Sequence, residues 1–272
     1  MTATLPSAAI PKTFSVRVAT MDDIPAVVSL LNTCSALEVG IKLHDEAEMK
    51  LEWTTTGFDL THNTQLVFAP DGQLAAVATT WMVRNPPVHP WVQIRVHPDF
   101  TGLGLGTTLT RWGEARARTA IACVPVGARV AMRCGVSGGY APAVAFLEDY
   151  GMQQIRHFWD MEIKLDALPP APKFPDGITM VRFRFPQDLE RTYLAFDEAF
   201  EDHWGHVSSP PEEGIARWCK WVGDDPDFDP DIWFLAMDGD EIAGVSLCYN
   251  KIPHDPNMAW VDILGVRKPW RK

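Results

Sequence analysis

The sequence predicts an α+β protein made of two related modules, each with a mixed sheet and flanking helices. Three observations predict this class. Segments of similar sequence recur in the same order at a spacing of 165–170 residues, which indicates an internal repeat. Each repeat contains two apolar runs joined by an Asp-Gly turn, which is a strong hairpin signal. Helical patterns then alternate with further strands, which favours helices on both faces of a sheet.

The repeat is clearest around the two hairpins. The stretch LVFAPDGQLAAVA from Leu66 parallels WFLAMDGDEIAGVS from Trp233, and IRVHPDFTG from Ile94 parallels LGVRKPWRK from Leu264. Past the shared valine of that last strand, the first copy continues for 69 residues and the second for 6. We therefore expect the second module to be incomplete, with about 63 residues fewer than the first.

The module boundaries follow from composition. Residues 166–177 are rich in proline and lack an apolar period, which is typical of a stiff linker. We predict a flexible tail over residues 1–13, a first module over 14–165 and a second module over 178–272.

Apolar periodicity assigns the elements of the first module. Strands are predicted over residues 15–19, 65–69, 74–83, 92–96, 128–134 and 153–165. Helices are predicted over residues 24–33, 45–53, 106–119 and 141–150. Because helices separate the later strands, the sheet should contain parallel as well as antiparallel neighbours.

Charge and composition argue against several classes of function. The net charge is -11 and the pI is about 5.1, which predicts that neither nucleic acid nor a membrane is a partner. No apolar run reaches the roughly 18 residues needed to cross a bilayer, and the N-terminus lacks a secretory pattern. Five scattered cysteines without a CxxC pair predict reduced thiols, no metal site and a cytoplasmic location.

A glycine-rich loop carries the most chemical information. In VHPDFTGLGLGTTLTRW, Gly102, Gly104 and Gly106 alternate just before a predicted helix. This spacing lets backbone N–H groups converge at a helix N-terminus, which suits a pyrophosphate. A glycine turn without a ligand is the plainest alternative. A dinucleotide fingerprint fails at Thr107, and a P-loop lacks its Gly-Lys-Ser/Thr, so a coenzyme A loop remains.

The loop and its surroundings resemble the GNAT acetyltransferase superfamily. A strand, Val-x-Pro, Gly-x-Gly-x-Gly, a long helix and a later helix ending AFLEDYGM follow the order of that family. Gly104 and Gly106 match its Arg/Gln-x-x-Gly-x-Gly/Ala motif, while Thr101 replaces the basic residue. The tandem arrangement is similar to two-module proteins of the mycothiol synthase type.

The resemblance implies a parallel strand pair that splays apart to bind acetyl-CoA. It implies pantetheine contacts from the backbone of Ile94, Arg95 and Val96. It implies that the pyrophosphate is surrounded by Thr101, Gly102, Leu103, Gly104, Leu105, Gly106 and Thr107. In the second module, it implies strand contacts from Leu264, Gly265 and Val266, with Arg271 at the basic position.

The first module departs from the pattern of a catalyst. The family usually supplies a tyrosine that protonates the departing thiolate, and the alignment places Leu147 there, with Tyr140 at the position of a motif asparagine. Leucine cannot donate a proton. Tyr150 follows three residues later and reads as an ordinary half-buried tyrosine. We therefore expect the first module to bind acetyl-CoA but to transfer acetyl poorly.

The second module carries the polar candidates for catalysis. His203 and His206, in FEDHWGH, fall at the end of its first helix and could act as a base or hold an acceptor carboxylate. A helix cap and a solvated histidine are the alternative roles. Asp262, in WVDILGV, is a candidate base, and a structural ion pair is its alternative role. Alternation would place it on one face with Trp260, Leu264 and Val266, and Glu38 is an acceptor-side candidate in the first module.

These patterns together predict an N-acetyltransferase that moves acetyl from acetyl-CoA to the amine of a small molecule. The alternative is a non-catalytic acetyl-CoA-binding or scaffold protein, which Leu147 and Thr101 favour. The sequence leaves open which amine is the acceptor, and it leaves open a homodimer, since an apolar strand edge promotes self-association.

Overall fold

Each repeat forms a four-stranded antiparallel sheet whose strands follow sequence order. The computed structural model describes residues 10–207, 209–252 and 254–271. The first sheet contains β1 (Ser15–Arg17), β2 (Thr64–Phe68), β3 (Leu74–Trp81) and β4 (Trp91–Val96). The second contains β5 (Ile178–Arg182), β6 (Phe234–Asp238), β7 (Glu241–Tyr249) and β8 (Trp260–Val266). The predicted α+β class is confirmed.

Seven α-helices surround the sheets in the described part of the chain. They are α1 (Ile24–Val39), α2 (Glu46–Trp53), α3 (Leu60–Asn63), α4 (Leu105–Arg118), α5 (Ala141–Asp149), α6 (Leu189–Ala199) and α7 (Pro211–Asp224). Local sequence sets their ends. The side chain of Asp45 caps α2 by accepting a hydrogen bond from the Glu48 N–H at 2.8 Å. Gly40 ends α1 at a φ of 83°, a conformation that costs glycine little.

The duplication extends to irregularities of the two sheets. A bulge interrupts the β2–β3 ladder after Val67, and a bulge interrupts the β6–β7 ladder after Ala236. In the first sheet the Ala75 carbonyl accepts the N–H of His97, and in the second the Ala243 carbonyl accepts that of Arg267. The two modules therefore share one architecture, including the bulge between the second and third strands of each sheet.

Each sheet is covered by apolar helix faces. In the first module α1 and α2 bury one face of the sheet, and α4 buries the other through Leu105, Leu109 and Trp112. In the second module α6 and α7 pack on the sheet around Trp218 and Trp233. Each fully buried large apolar side chain contributes about 1.5–3 kcal/mol to folding, so these faces fix the strands that border the candidate sites.

Two predicted strands of the first module differ from the structure. Residues 128–134 run parallel to β4, but only the Trp91–Arg133 pair forms a ladder bridge. The prediction for residues 153–165 is wrong, because they form no strand and Trp159 is 80 % exposed. Alternating apolar residues favour a strand only where a neighbouring edge accepts their hydrogen bonds, and none does so in the described part of the chain.

Membrane insertion finds no support among the described helices. None of them combines the length and the apolar character that crossing a bilayer requires.

Candidate active site

The first candidate site lies where two parallel segments separate. The Ala131 N–H donates to the Val88 carbonyl at 2.9 Å, and the Arg133 N–H donates to the Pro90 carbonyl at 2.8 Å. The Val92 N–H donates back to the Arg133 carbonyl at 2.8 Å. Beyond Val92, no backbone hydrogen bond among the described residues joins the two segments, and a cavity of about 500 Å³ opens between them.

The open edge of β4 faces this cavity. Because the His97 N–H bonds to β3, alternation directs the backbone groups of Arg95 toward β3 and those of Ile94 and Val96 toward the open side. Arg95 instead lines the cavity with its side chain, whose Nε lies 3.7 Å from Oε1 of Glu38. Of the three β4 residues in the predicted pantetheine site, Ile94 and Val96 therefore present backbone groups that bond to no neighbouring strand, and Arg95 presents a charged side chain.

The glycine loop closes one end of the same cavity. Gly102 and Gly104 have φ values of 77° and 78°, which only glycine adopts readily. Gly104 is also the N-cap of α4, so the first N–H groups of that helix lack intrahelical acceptors and carry its positive dipole end. The loop residues predicted from sequence line the cavity, except Leu103, which is 42 % exposed. This shape and polarity fit a pyrophosphate.

The cavity lacks a tyrosine at the position where the family places its acid. Leu147 lines the wall there, and Tyr140 lines it from the start of α5. Tyr150 instead donates a hydrogen bond to Glu114 at 2.8 Å. Desolvation, followed by that carboxylate, raises the pKa of Tyr150 to about 12. The Tyr150 side chain is therefore tied to α4 through Glu114, which indicates a structural role.

A second cavity, of about 670 Å³, lies between the modules and is strongly acidic. Its walls come from α2, from residues near 160, from the end of α7 and from β7 and β8. The carboxylates that line it are Asp45, Glu48, Asp160, Glu162, Asp225, Asp227 and Asp262. Its basic side chains are Lys251, whose Nζ lies 2.8 Å from Asp227, and His254. This charge balance suits a cationic ligand such as an ammonium.

A β-bulge directs Asp262 into the acidic cavity. Ile263 pairs with Leu247 and Val261 pairs with Cys248, so Asp262 between them has no partner on β7. Bulges of this kind re-aim side chains. The Oδ1 of Asp262 accepts a hydrogen bond from the Trp260 indole at 3.3 Å. The side chain is open to solvent within the cavity.

Charge and desolvation shape the titration of this cavity. Desolvation raises the pKa of Asp262, the Trp260 hydrogen bond lowers it, and the charge of Asp225 raises it further. Desolvation also raises the pKa of Glu48, assisted by Asp45 and Asp225. Tyr249 donates a hydrogen bond to Asp225 at 3.0 Å. Sequence reasoning missed Tyr249 and Asp225, because only the folding of the second module, in which Tyr249 pairs with Trp260, brings them to Asp262.

The bulge corrects the predicted faces of β8. Asp262 and Trp260 do share one cavity, as alternation predicts. Leu264 and Val266 pair with Ser246 and Gly244 on the opposite face, because the extra residue reverses the alternation.

The two histidine candidates lie elsewhere. His203 and His206 line a third cavity, between the end of α6 and the first module. The Nε2 of His206 lies 3.9 Å from Asp197. The structure thus brings Asp262 together with acidic groups and does not bring it together with the histidines.

The predicted cofactor residues of the second module lie on an edge strand. Leu264, Gly265 and Val266 belong to β8, which pairs with β7 alone in the described sheet. Arg271, at the predicted basic position, binds both carboxylate oxygens of Asp202 at 2.8 and 2.9 Å and also the Ala199 carbonyl. Its charge is already paired in this structure.

The splayed segments, the glycine loop at a helix N-terminus and the tandem architecture are together typical of acyltransferases that use acyl-coenzyme A. The Acetyltransferase (GNAT) family model matches residues 25–152. A GCN5-related N-acetyltransferase from Sphaerobacter thermophilus is 32 % identical, with a TM-score of 0.75 over 96 % of this chain and 78 % of that one. The chain belongs to the GNAT acetyltransferase family.

Further comparisons refine this relationship. A mycothiol acetyltransferase from Salinispora arenicola is 31 % identical over 209 residues, which cover 74 % of this chain and 60 % of the relative. The enzyme of the same name from Thermobispora bispora is 29 % identical over 163 residues, covering 59 % and 49 %. The chain thus spans about half to three fifths of these curated relatives. A tandem GNAT protein from the clavulanic acid biosynthesis pathway shares the fold, with a TM-score of 0.58 at 14 % identity.

Proposed function

We propose that the protein is an N-acetyltransferase that moves acetyl from acetyl-CoA to the amine of a small molecule. The observation that carries this proposal is Asp262, which a bulge presents to a large acidic cavity between the modules. Seven carboxylates facing two basic side chains would hold a cationic amine there. Family membership supplies the acetyl donor, since bound acetyl-CoA provides an acetyl group activated as a thioester.

Asp262 is the proposed general base. An amine attacks a thioester only in its neutral form, so a group in the cavity must accept a proton from the ammonium or from the attacking nitrogen. A raised carboxyl pKa makes Asp262 a stronger base than an ordinary aspartate. The Trp260 indole fixes its Oδ1, and Tyr249 holds Asp225 beside it. Our second proposal is that His203 and His206, which line a separate cavity, lie near an acceptor bound there.

The first module is proposed to bind acetyl-CoA without efficient transfer. Its loop, from Thr101 to Thr107, and the open backbone of Ile94 and Val96 would hold the pyrophosphate and the pantetheine. Leu147 supplies no proton for a departing thiolate. We also propose that the backbone of Leu264, Gly265 and Val266, on the edge strand β8, contacts the cofactor in the second module.

Leu147 also favours the second candidate function, a non-catalytic acetyl-CoA-binding or scaffold protein. Relatives are named mycothiol acetyltransferases, so acceptors related to mycothiol belong in the first test. Amino sugars, aminoglycosides, polyamines and peptide N-termini complete the panel.

Incubation with acetyl-CoA and this amine panel, followed by mass spectrometry of the products, tests the proposal. We expect one amine class to gain a mass of one acetyl group in proportion to the thiol released. Saturable acetyl-CoA binding without an acetylated product from any amine would support the scaffold function instead.

A further inference from the structure

A third cavity, of about 640 Å³, joins the modules on a different set of residues. Its first-module wall comes from the end of β3, the loop to β4 and Arg133. Its second-module wall comes from α6, α7 and the chain between them. Aromatic rings dominate the lining, through Trp81, Trp91, Tyr193, Phe196, Trp204 and Trp218. Arg84, Arg133 and Arg217 provide three guanidinium groups, in a chain whose net charge is -11.

Arg133 is held in place by the second module. Its guanidinium carbon lies 4.2 Å from the centre of the Trp204 ring, a cation–π distance. Gly205 has a φ of 78°, and a Cβ there would lie 2.8 Å from Nη1 of Arg133. Glycine therefore permits the close approach. A guanidinium stacked by its face keeps its N–H edge available for an oxyanion.

Arg133 has no counter-ion among the described residues. Its Nε is buried without a hydrogen-bond partner, and its side chain makes neither a hydrogen bond nor an ion pair within the described ranges. Desolvation lowers the pKa of Arg133, and the charge of Arg84 lowers it further. A partly buried cation beside a second cation is costly unless an anion neutralises it.

The neighbouring charges do not supply that anion. Glu213 lies 4.0 Å from Arg217 and accepts from Asn85 at 3.2 Å. Asp197 also lines the cavity, but its Oδ1 lies 3.9 Å from Nε2 of His206, and no ion pair joins it to Arg133 among the described residues. Desolvation lowers the pKa of His89, and Arg133, Arg84 and Arg129 lower it further, which indicates a positive potential in this region.

We propose that this cavity is a binding site for a small aromatic anion, whose carboxylate or phosphate is held by Arg133 and Arg84. Guanidinium groups bind planar oxyanions through paired hydrogen bonds, and the surrounding rings suit an aromatic body. The site differs from the glycine-loop cavity and the acidic cavity, and it does not rest on the proposed acetyl transfer. Since both modules form it, an occupant would also hold them together.

Ligand-detected ¹⁹F NMR of the full chain tests the site, with 4-fluorophenyl phosphate and 4-fluorobenzoate as probes and 4-fluorobenzyl alcohol as the neutral control. Ionic strength is held constant. We expect saturable binding of at least one anion and none of the alcohol. Arg133→Met should weaken binding at least about tenfold, since a charged hydrogen-bond pair is lost.

Arg156→Gln is the matched control, because Arg156 also lies over Trp204, at 5.2 Å, but does not line the cavity. We expect it to change affinity less than twofold. Arg84→Gln, at an exposed side chain, replaces Arg133→Met if circular dichroism shows that the latter misfolds. The proposal would be overturned if no probe bound saturably, or if acetyl-CoA displaced the probe. It would also be overturned if the Arg133 or Arg84 variant bound the probe as tightly as Arg156→Gln.

Discussion

Gln93 and Ile263 occupy the same position in the two copies of one strand, 170 residues apart, and the residue before Ile263 is Asp262. Gln93 pairs regularly with Thr79, whereas Asp262 is the extra residue of a bulge. The first copy therefore has a regular ladder here, whereas the second copy presents a carboxylate to the acidic cavity. This difference assigns the proposed base to the second module.

The raised pKa of Asp262 predicts a pH dependence of acetyl transfer. The base is active when ionised, so the amine-dependent rate should fall as pH drops through that raised pKa. Initial rates between pH 4 and pH 9 measure the profile. In Asp262→Asn this acid limb should disappear, leaving only the limb set by ionisation of the amine. An unchanged limb in the variant would assign it to another group.

Glu52 predicts a pH dependence of stability. Desolvation, followed by Glu48, raises its pKa from 4.5 to about 7. The folded state therefore binds the proton more tightly than the unfolded chain, and stability is lost as pH rises from about 4.5 to about 7. Glu52→Gln removes this loss, so its free energy of unfolding relative to wild type should be higher at pH 8 than at pH 5.

The expected difference for Glu52→Gln is about 1 kcal/mol or less, because the side chain is exposed enough for solvent to screen it. Urea unfolding at both pH values measures it. Glu46→Gln, on the same helix, controls for the loss of a helix charge. A larger gain at pH 5 than at pH 8 would reverse the sign and contradict the account.

Gly113 and Val92 test the packing behind the glycine-loop cavity. A Cβ at Gly113 on α4 would lie 2.3 Å from Cγ1 of Val92, which is 1 % exposed. Gly113→Ala should destabilise the fold by about 1–3 kcal/mol through overpacking, which outweighs the roughly 1 kcal/mol gain in helix propensity. Adding Val92→Ala should recover part of the loss. Additive destabilisation in the double-mutant cycle would show that the two side chains do not compete for this space.

The glycine loop predicts one acetyl-CoA site in the first module. Calorimetric titration should detect this site, and Gly104→Arg should abolish it, because the side chain would fill the cradle at the start of α4. Gly72→Arg is the matched control, since Gly72 also has a positive φ but lies in the β2–β3 turn. Equal loss in both variants would point to general unfolding and not to a blocked loop.

Local signals in the sequence predict most of the fold. The two Asp-Gly hairpins, the α1 and α4 helices and the glycine loop are all confirmed, because short-range periodicity and turn chemistry determine them. The predicted strand over residues 153–165 is wrong, because strand formation depends on a neighbouring strand edge that no local pattern reveals.

The candidate site is less accessible from sequence. The sequence predicts Asp262 as a candidate base but does not reveal its bulge, because a single extra residue changes pairing without changing composition. The acidic cavity was missed as a whole, since Asp45 and Asp225 are 180 positions apart and meet only when the modules pack.

Amine-dependent release of free thiol from acetyl-CoA, compared between wild type and Asp262→Asn, tests the central claim most directly. Asp227→Asn is the control, because Asp227 lines the same cavity but is paired with Lys251. The account predicts a loss of about 10²-fold or more in Asp262→Asn, the size expected for a general base, and a loss of less than about tenfold in the control. Wild-type rates in Asp262→Asn would contradict it.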